Sequence, residues 1–214
     1  MGLPTFPFKT VPTFDWNMKK RISLLTVAVL LVTAAFGSES KCLEIAKREY
    51  PNDSQMQQYV YKKQLSAYRY MKSTAKDTDV LKIALREYLE DYSMQKYTYD
   101  KQSAAKRYMA KVEDSGVKAF ALREYSEDYS MQKYTYDKQS AAKRYMAKVE
   151  DSAVKGFSLR EYSYDYAMQK YTYDKQVAAK NYMNGQSNNS AKKKAVREYP
   201  YDYSMQKYIY DKSL

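Results

Sequence analysis

Histidine is absent from the 214 residues, and cysteine occurs once, as Cys42. The commonest general base is therefore missing, together with the nitrogen and sulfur ligands of most zinc sites. A single cysteine also rules out an intramolecular disulfide framework. Glycine is scarce, with five in the whole chain and none in a phosphate-cradling pattern. The carboxylates stand beside cations, as in Arg86-Glu87 and Asp100-Lys101, which is how helices solvate themselves. No enzyme activity and no cofactor are expected from such a chain.

Long apolar stretches are missing too. The most apolar run, residues 22–36, contains Ser23, Thr26 and Thr33 and falls short of the roughly 20 residues a spanning helix requires. It follows the basic triplet Lys19, Lys20 and Arg21 and ends in the small residues of Ala35-Phe36-Gly37, the pattern of a secretory signal peptide. Residues 1–37 are thus read as a leader, with translation starting at Met18 and cleavage after Gly37. The expected destination is periplasmic or extracellular, with the membrane touched only through an uncleaved leader. Cys42 would then be an odd exported thiol, either unpaired or joined in a disulfide dimer between chains.

What is present is tyrosine. All 26 tyrosines lie beyond the leader, where only Phe120 and Phe157 join them as aromatics. The chain is basic, with a formal charge of +12, but lysines alternate with acids along most of its length.

A repeat organises everything else. Residues 91–115 and 128–152 are identical, and Met-Gln recurs at Met56, Met94, Met131, Met168 and Met205. Arg-Glu-Tyr keeps the same step, from Arg48 through Arg86, Arg123 and Arg160 to Arg197. About five copies of 37–38 residues follow: 38–75, 76–113, 114–150, 151–187 and a truncated 188–214. Residues 184–194, NGQSNNSAKKK, read as a polar linker in which glycine and asparagine break any helix.

Each copy reads as two helices. The shorter covers stretches such as 80–88 and 117–125, and a break closed by Asp53, Asp91, Asp128, Asp165 or Asp202 precedes the longer. Standing three residues before each methionine, these aspartates are expected to cap the longer helix. At about 100° per residue, Thr98, Lys101, Ala105, Tyr108, Met109 and Val112 gather around Met94, with Tyr97 and Ala104 at the margin, in an arc about 140° wide. Met94, Tyr97, Tyr108 and Met109 are expected in the core, with Lys101 extending across it to water. Tyr61, Tyr99, Tyr136, Tyr173 and Tyr210 fall outside that arc, on the polar face. They are either packed against the next helix of a stacked array or a ladder of candidate interaction residues, one rung per copy. The expected class is all-α: tandem helix-turn-helix repeats forming a short α-solenoid or loosely stacked helical hairpins.

The first copy, REYPNDSQMQQYVYKKQLSAYRYM, resembles small bacterial proteins, often exported, marked by Trp-Pro-x-Asp-aromatic-x-Met-x-x-aromatic-Cys followed by glutamine and alanine on a helix. Tyr50 stands for the tryptophan, and Pro51, Asp53, Met56, Tyr59, Gln64 and Ala67 match. The family cysteine is replaced by Val60, Thr98, Thr135, Thr172 or Ile209, so a thiol role is absent from the repeats. The resemblance implies no activity.

Three kinds of function remain. A structural or multivalent interaction module, bound to a protein or to an envelope or extracellular polymer, fits the repetition best. A secreted precursor cut at the dibasic pairs Lys106-Arg107 and Lys143-Arg144 is the second. The third is a basic, aromatic binder of nucleic acid or another polyanion, for which nucleic acid is the disfavoured partner given the export pattern and the interspersed acids.

Overall fold

A computed structural model describes residues 39–214, so the leader, Met18 and the cleavage position lie outside the described residues. Those residues form helices joined by short breaks, with no strand among them. In chain order they are α1 (Glu39–Glu49), α2 (Ser54–Ser73), α3 (Thr78–Glu87), α4 (Tyr92–Lys111) and α5 (Ser115–Glu124), then α6 (Tyr129–Lys148), α7 (Ser152–Glu161), α8 (Tyr166–Asn184), α9 (Ser190–Glu198) and α10 (Tyr203–Lys212). Short and long helices alternate, one of each per repeat, with α10, at ten residues, standing in the long-helix position of the last repeat.

The helix boundaries have local causes. Asp53, Asp91, Asp128, Asp165 and Asp202 each adopt an extended backbone and accept the backbone N–H of the methionine three residues on. They are the expected N-caps of the long helices. The short helices carry caps of their own in Asp77, Asp114, Asp151 and Asn189. Asn189 also corrects the expected linker: residues 185–189 are the break, while Ser190 onward is helical because that side chain accepts the Lys192 N–H. Pro51 and Pro200 sit in breaks, where their missing N–H costs nothing.

Tertiary packing follows one scheme. Each short helix lies on the long helix that follows it, and each long helix packs on the long helices before and after it. The repeats are therefore stacked rather than independent hairpins. Short helices present small residues at i, i+4, as in Val80 and Ala84, Val117 and Ala121, Val154 and Ser158, or Ala191 and Ala195, all buried. The first repeat places Cys42 and Ala46 there, so the lone thiol acts as a small apolar core residue.

Core clusters draw on two repeats at once. Met146 from one repeat packs with Val154 and Tyr173 from the next, and Met183 with Ala191, Ala195 and Tyr210. The apolar surface of one repeat is thus completed by its neighbour, as in other solenoids.

Glutamine supplies the polar half of this packing. Gln95, Gln132 and Gln206 are buried and donate Nε2 to the backbone oxygens of Tyr88, Tyr125 and Tyr199, at 2.6, 2.6 and 2.7 Å. Those oxygens end the short helices and have no partner within them. A second set bridges repeats. Gln102 donates to Asp128 Oδ1 at 2.9 Å and accepts from Ser130 N at 3.0 Å, while Gln139 does the same with Asp165 and Ala167. Each bridging amide therefore holds both the cap and a free N–H of the next long helix.

Candidate functional site

The buried arc of α4 consists of Tyr92, Gln95, Thr98, Tyr99, Gln102, Ser103, Ala105 and Met109. Its centre lies near Gln95 and Gln102, about 90° around the helix from the arc expected on apolar character. Met109 is in the core as expected. Tyr97, however, is exposed and Tyr108 is half exposed. The displacement arises because glutamines whose amides find hydrogen-bond partners can be buried, and those partners, Tyr88 O for Gln95 and Asp128 and Ser130 N for Gln102, belong to other segments.

The same rotation overturns the solvent-facing reading of Tyr61, Tyr99, Tyr136, Tyr173 and Tyr210. Tyr99, Tyr173 and Tyr210 are only 7, 8 and 3% exposed, and Tyr61 and Tyr136 are half-buried. Four of these rings meet the edge of a tyrosine from the preceding repeat: Tyr70 with Tyr99, Tyr108 with Tyr136, Tyr145 with Tyr173 and Tyr182 with Tyr210, at centroid distances of 6.3 to 6.4 Å. Such T-shaped pairs fix the spacing of stacked helices. These residues hold the repeats together.

Around every such pair stands the same polar group. The Tyr108 hydroxyl donates to Asp137 Oδ1 at 2.5 Å, Lys133 binds Asp137 Oδ2 at 2.6 Å, and the Lys133 ammonium lies 4.5 Å from the Tyr108 ring centroid. Tyr145, Asp174 and Lys170 reproduce the arrangement, as do Tyr182, Asp211 and Lys207. Hydrogen bonding to the Asp174 carboxylate, with burial, pushes the Tyr145 hydroxyl up to about 12. Burial on its own would raise Asp137, but hydrogen bonds from Lys133 and Tyr108 outweigh it and hold this carboxyl below its usual range.

A second lysine ties the long helix to its own short helix. Lys143 binds the cap Asp114 at 2.7 Å and lies over the Tyr166 ring, while Lys180 binds Asp151 at 2.6 Å and lies over Tyr203. The Lys143 hydrogen bond depresses the Asp114 pKa. This geometry also bears on the dibasic pairs: Lys106-Arg107 and Lys143-Arg144 lie inside twenty-residue helices, with Lys106 and Lys143 already bound to Asp77 and Asp114. A protease would meet them only after the helix opened.

Tyrosines do line one exposed face, two residues before the expected positions. Tyr59, Tyr97, Tyr134, Tyr171 and Tyr208 are 48 to 62% exposed, the same residue in all five repeats. Four residues on, on the same helix face, stand Lys63, Lys101, Lys138, Lys175 and Lys212, all exposed. None of these lysines makes an ion pair among the described residues, and Lys212 lies 4.6 Å from the Tyr208 ring centroid. Apolar periodicity had assigned Tyr97 to the core margin. The sequence signal for this ladder was the Tyr-x-x-x-Lys spacing itself, kept in every copy.

Two further features complete the surface. Between α4 and α6 runs an open groove lined by Tyr108, Lys111, Tyr136, Asp137 and Arg144, among others. Cys42 is fully buried, so the disulfide between chains expected as one outcome has no exposed sulfur in this conformation. No three metal-ligating side chains converge among the described residues, and no described helix is long and apolar enough to cross a membrane. No family model, curated protein or solved structure matches this chain.

Proposed function

We propose that the protein is an exported structural or multivalent interaction module whose working surface is the outward row of Tyr59, Tyr97, Tyr134, Tyr171 and Tyr208 with the lysine four residues after each. The observation that carries this reading is the combination of exposure and repetition. A tyrosine exposed once is ordinary, because much of any protein surface is apolar. A tyrosine exposed at the same position in five repeats, beside a lysine without an acidic partner, is a presented pattern. Each Tyr-Lys rung alone is a weak contact. Five rungs on one stacked frame convert the later contacts into intramolecular events and raise the overall affinity by orders of magnitude.

Export is supported by the basic triplet, the short apolar run and the small residues that follow it in residues 19–37. The precursor reading has less in its favour, since both dibasic pairs are built into long helices and one member of each is engaged.

Fractionation of cells expressing the full chain tests both halves. The protein is expected outside the cytoplasm and bound to envelope or extracellular material. Replacing the five ladder tyrosines by serine is expected to release it into the soluble fraction with unchanged helicity and melting temperature. Retention of the folded five-fold variant would remove the ladder from the function, and a cytoplasmic protein would remove export.

A further inference from the structure

The first three long helices are strongly basic. Helix α4 carries Lys96, Lys101, Lys106, Arg107 and Lys111 against the single acid Asp100, and α6 repeats this composition. Helix α2 has Lys62, Lys63, Arg69 and Lys72 and no acid at all. The short helices α3, α5 and α7 mix both signs, whereas α9 carries Lys192, Lys193, Lys194 and Arg197 against Glu198. Some long-helix cations are spent internally: Lys96 binds Asp100, Lys106 binds Asp77 and Arg69 binds Glu39. The equivalents of Lys96 and Lys106 in the later repeats are paired likewise, but other cations are not. Lys101, Arg107 and Lys111 on α4, and Lys138, Arg144 and Lys148 on α6, are without an ion pair among the described residues. Every acid on α4, α6, α8 and α10 is already held by a lysine and a tyrosine, so no free carboxylate competes on that layer.

Building on the interaction surface proposed above, we infer that the long-helix layer binds a linear anionic polysaccharide carrying a carboxylate on about every second sugar, laid across the helices from rung to rung. The tyrosine face stacks on the C–H face of a pyranose ring. The lysine four residues along the same helix, about 5–6 Å away at Cβ, flanks the glycan and meets a carboxylate that projects from its edge. Successive long helices pack about 8–10 Å apart, an interval that spans two sugars of an extended glycan. Nucleic acid fits less well, because the export pattern of residues 19–37 points the surface toward the polymers outside the cytoplasm. Cationic density is greatest on α2, α4 and α6. It falls on α8, where Asn181 replaces the arginine of Arg107 and Arg144, so the footprint is centred on the first three repeats.

Calorimetric titration of the full chain with hyaluronan, which alternates a uronic acid with an N-acetylhexosamine, tests this. Binding is expected to weaken with added salt and to fall at least tenfold for the carboxyl-reduced polymer. The triple variant Lys63→Gln, Lys101→Gln, Lys138→Gln is expected to lose at least tenfold in affinity, as is Tyr59→Ser, Tyr97→Ser, Tyr134→Ser. The short-helix control Lys118→Gln is expected to bind normally, and circular dichroism melts check that each variant is folded. Equal or tighter binding of poly(dT) would overturn the glycan assignment in favour of nucleic acid. Absence of hyaluronan binding, in a protein whose ladder variant still leaves the envelope fraction, would overturn the ligand class and keep the interaction surface. Loss of neither property in the ladder variant would overturn both.

Discussion

Gln102 donates its side-chain N–H to Asp128 across the junction between two repeats, at 2.9 Å, onto the same carboxylate oxygen that caps α6 through Met131 N. The other end of the amide accepts from Ser130 N. One side chain thus completes the N-terminus of a helix whose capping residue lies 26 residues later.

Replacing Gln102 by leucine keeps the volume and leaves Ser130 N without its acceptor. The expected loss is about 1–3 kcal/mol, the cost of a buried unsatisfied donor, read by urea denaturation. Gln102→Glu is expected to be worse at neutral pH, because it sets two carboxylates against each other. Acidification should narrow the gap between the two variants, since protonating one carboxyl restores a donor.

The two tyrosine rows are expected to separate by stability. Tyr173→Ala removes a buried ring from a cluster shared by two repeats and is expected to cost on the order of 3 kcal/mol. Tyr97→Ser is expected to stay within about 0.5 kcal/mol, as for other surface substitutions. Denaturation midpoints measured side by side check the pair, and equal losses would return Tyr97 to the core.

Stability is expected to depend on pH at both ends of the range. Asp114 has its folded-state pKa lowered, first by the Lys143 hydrogen bond. Its contribution is present above the ordinary carboxyl value of about 3.9 and disappears as pH falls through the lower folded value. Tyr145 is shifted the other way, to about 12. Its contribution is complete below the ordinary tyrosine value of about 10 and is lost as pH rises through the folded one. Asp114→Asn should therefore flatten the acid limb of a melting-temperature profile and Tyr145→Phe the alkaline limb.

A single excised repeat, residues 76–113, is expected to be mostly unfolded. It contains α3 and α4 but lacks Met71, which packs with Val80 and Ala84, and Gln64, which holds Asp91. Circular dichroism of this peptide beside the full chain checks the point. Cooperative melting in the peptide would mean that each repeat holds its own core.

The sequence alone determined the repeat period, the alternation of short and long helices and the five aspartate caps. These depend on interactions within three or four residues, and they recur in every copy. The repetition also marked tyrosine and lysine as the residues presented, without saying which tyrosines. That choice was made by tertiary structure. Apolar periodicity placed Tyr97 and Tyr108 inside and Tyr99 outside, because it counted Gln95 and Gln102 as surface. In the folded chain Gln95 binds the end of its own repeat's short helix and Gln102 the start of the next long helix. Partners outside the helix leave no trace in its periodicity, yet they bind an N–H of each amide and turn the glutamine face inward. With that face buried, Tyr99 becomes a junction residue, Tyr97 turns to solvent, and Cys42 closes into the first repeat.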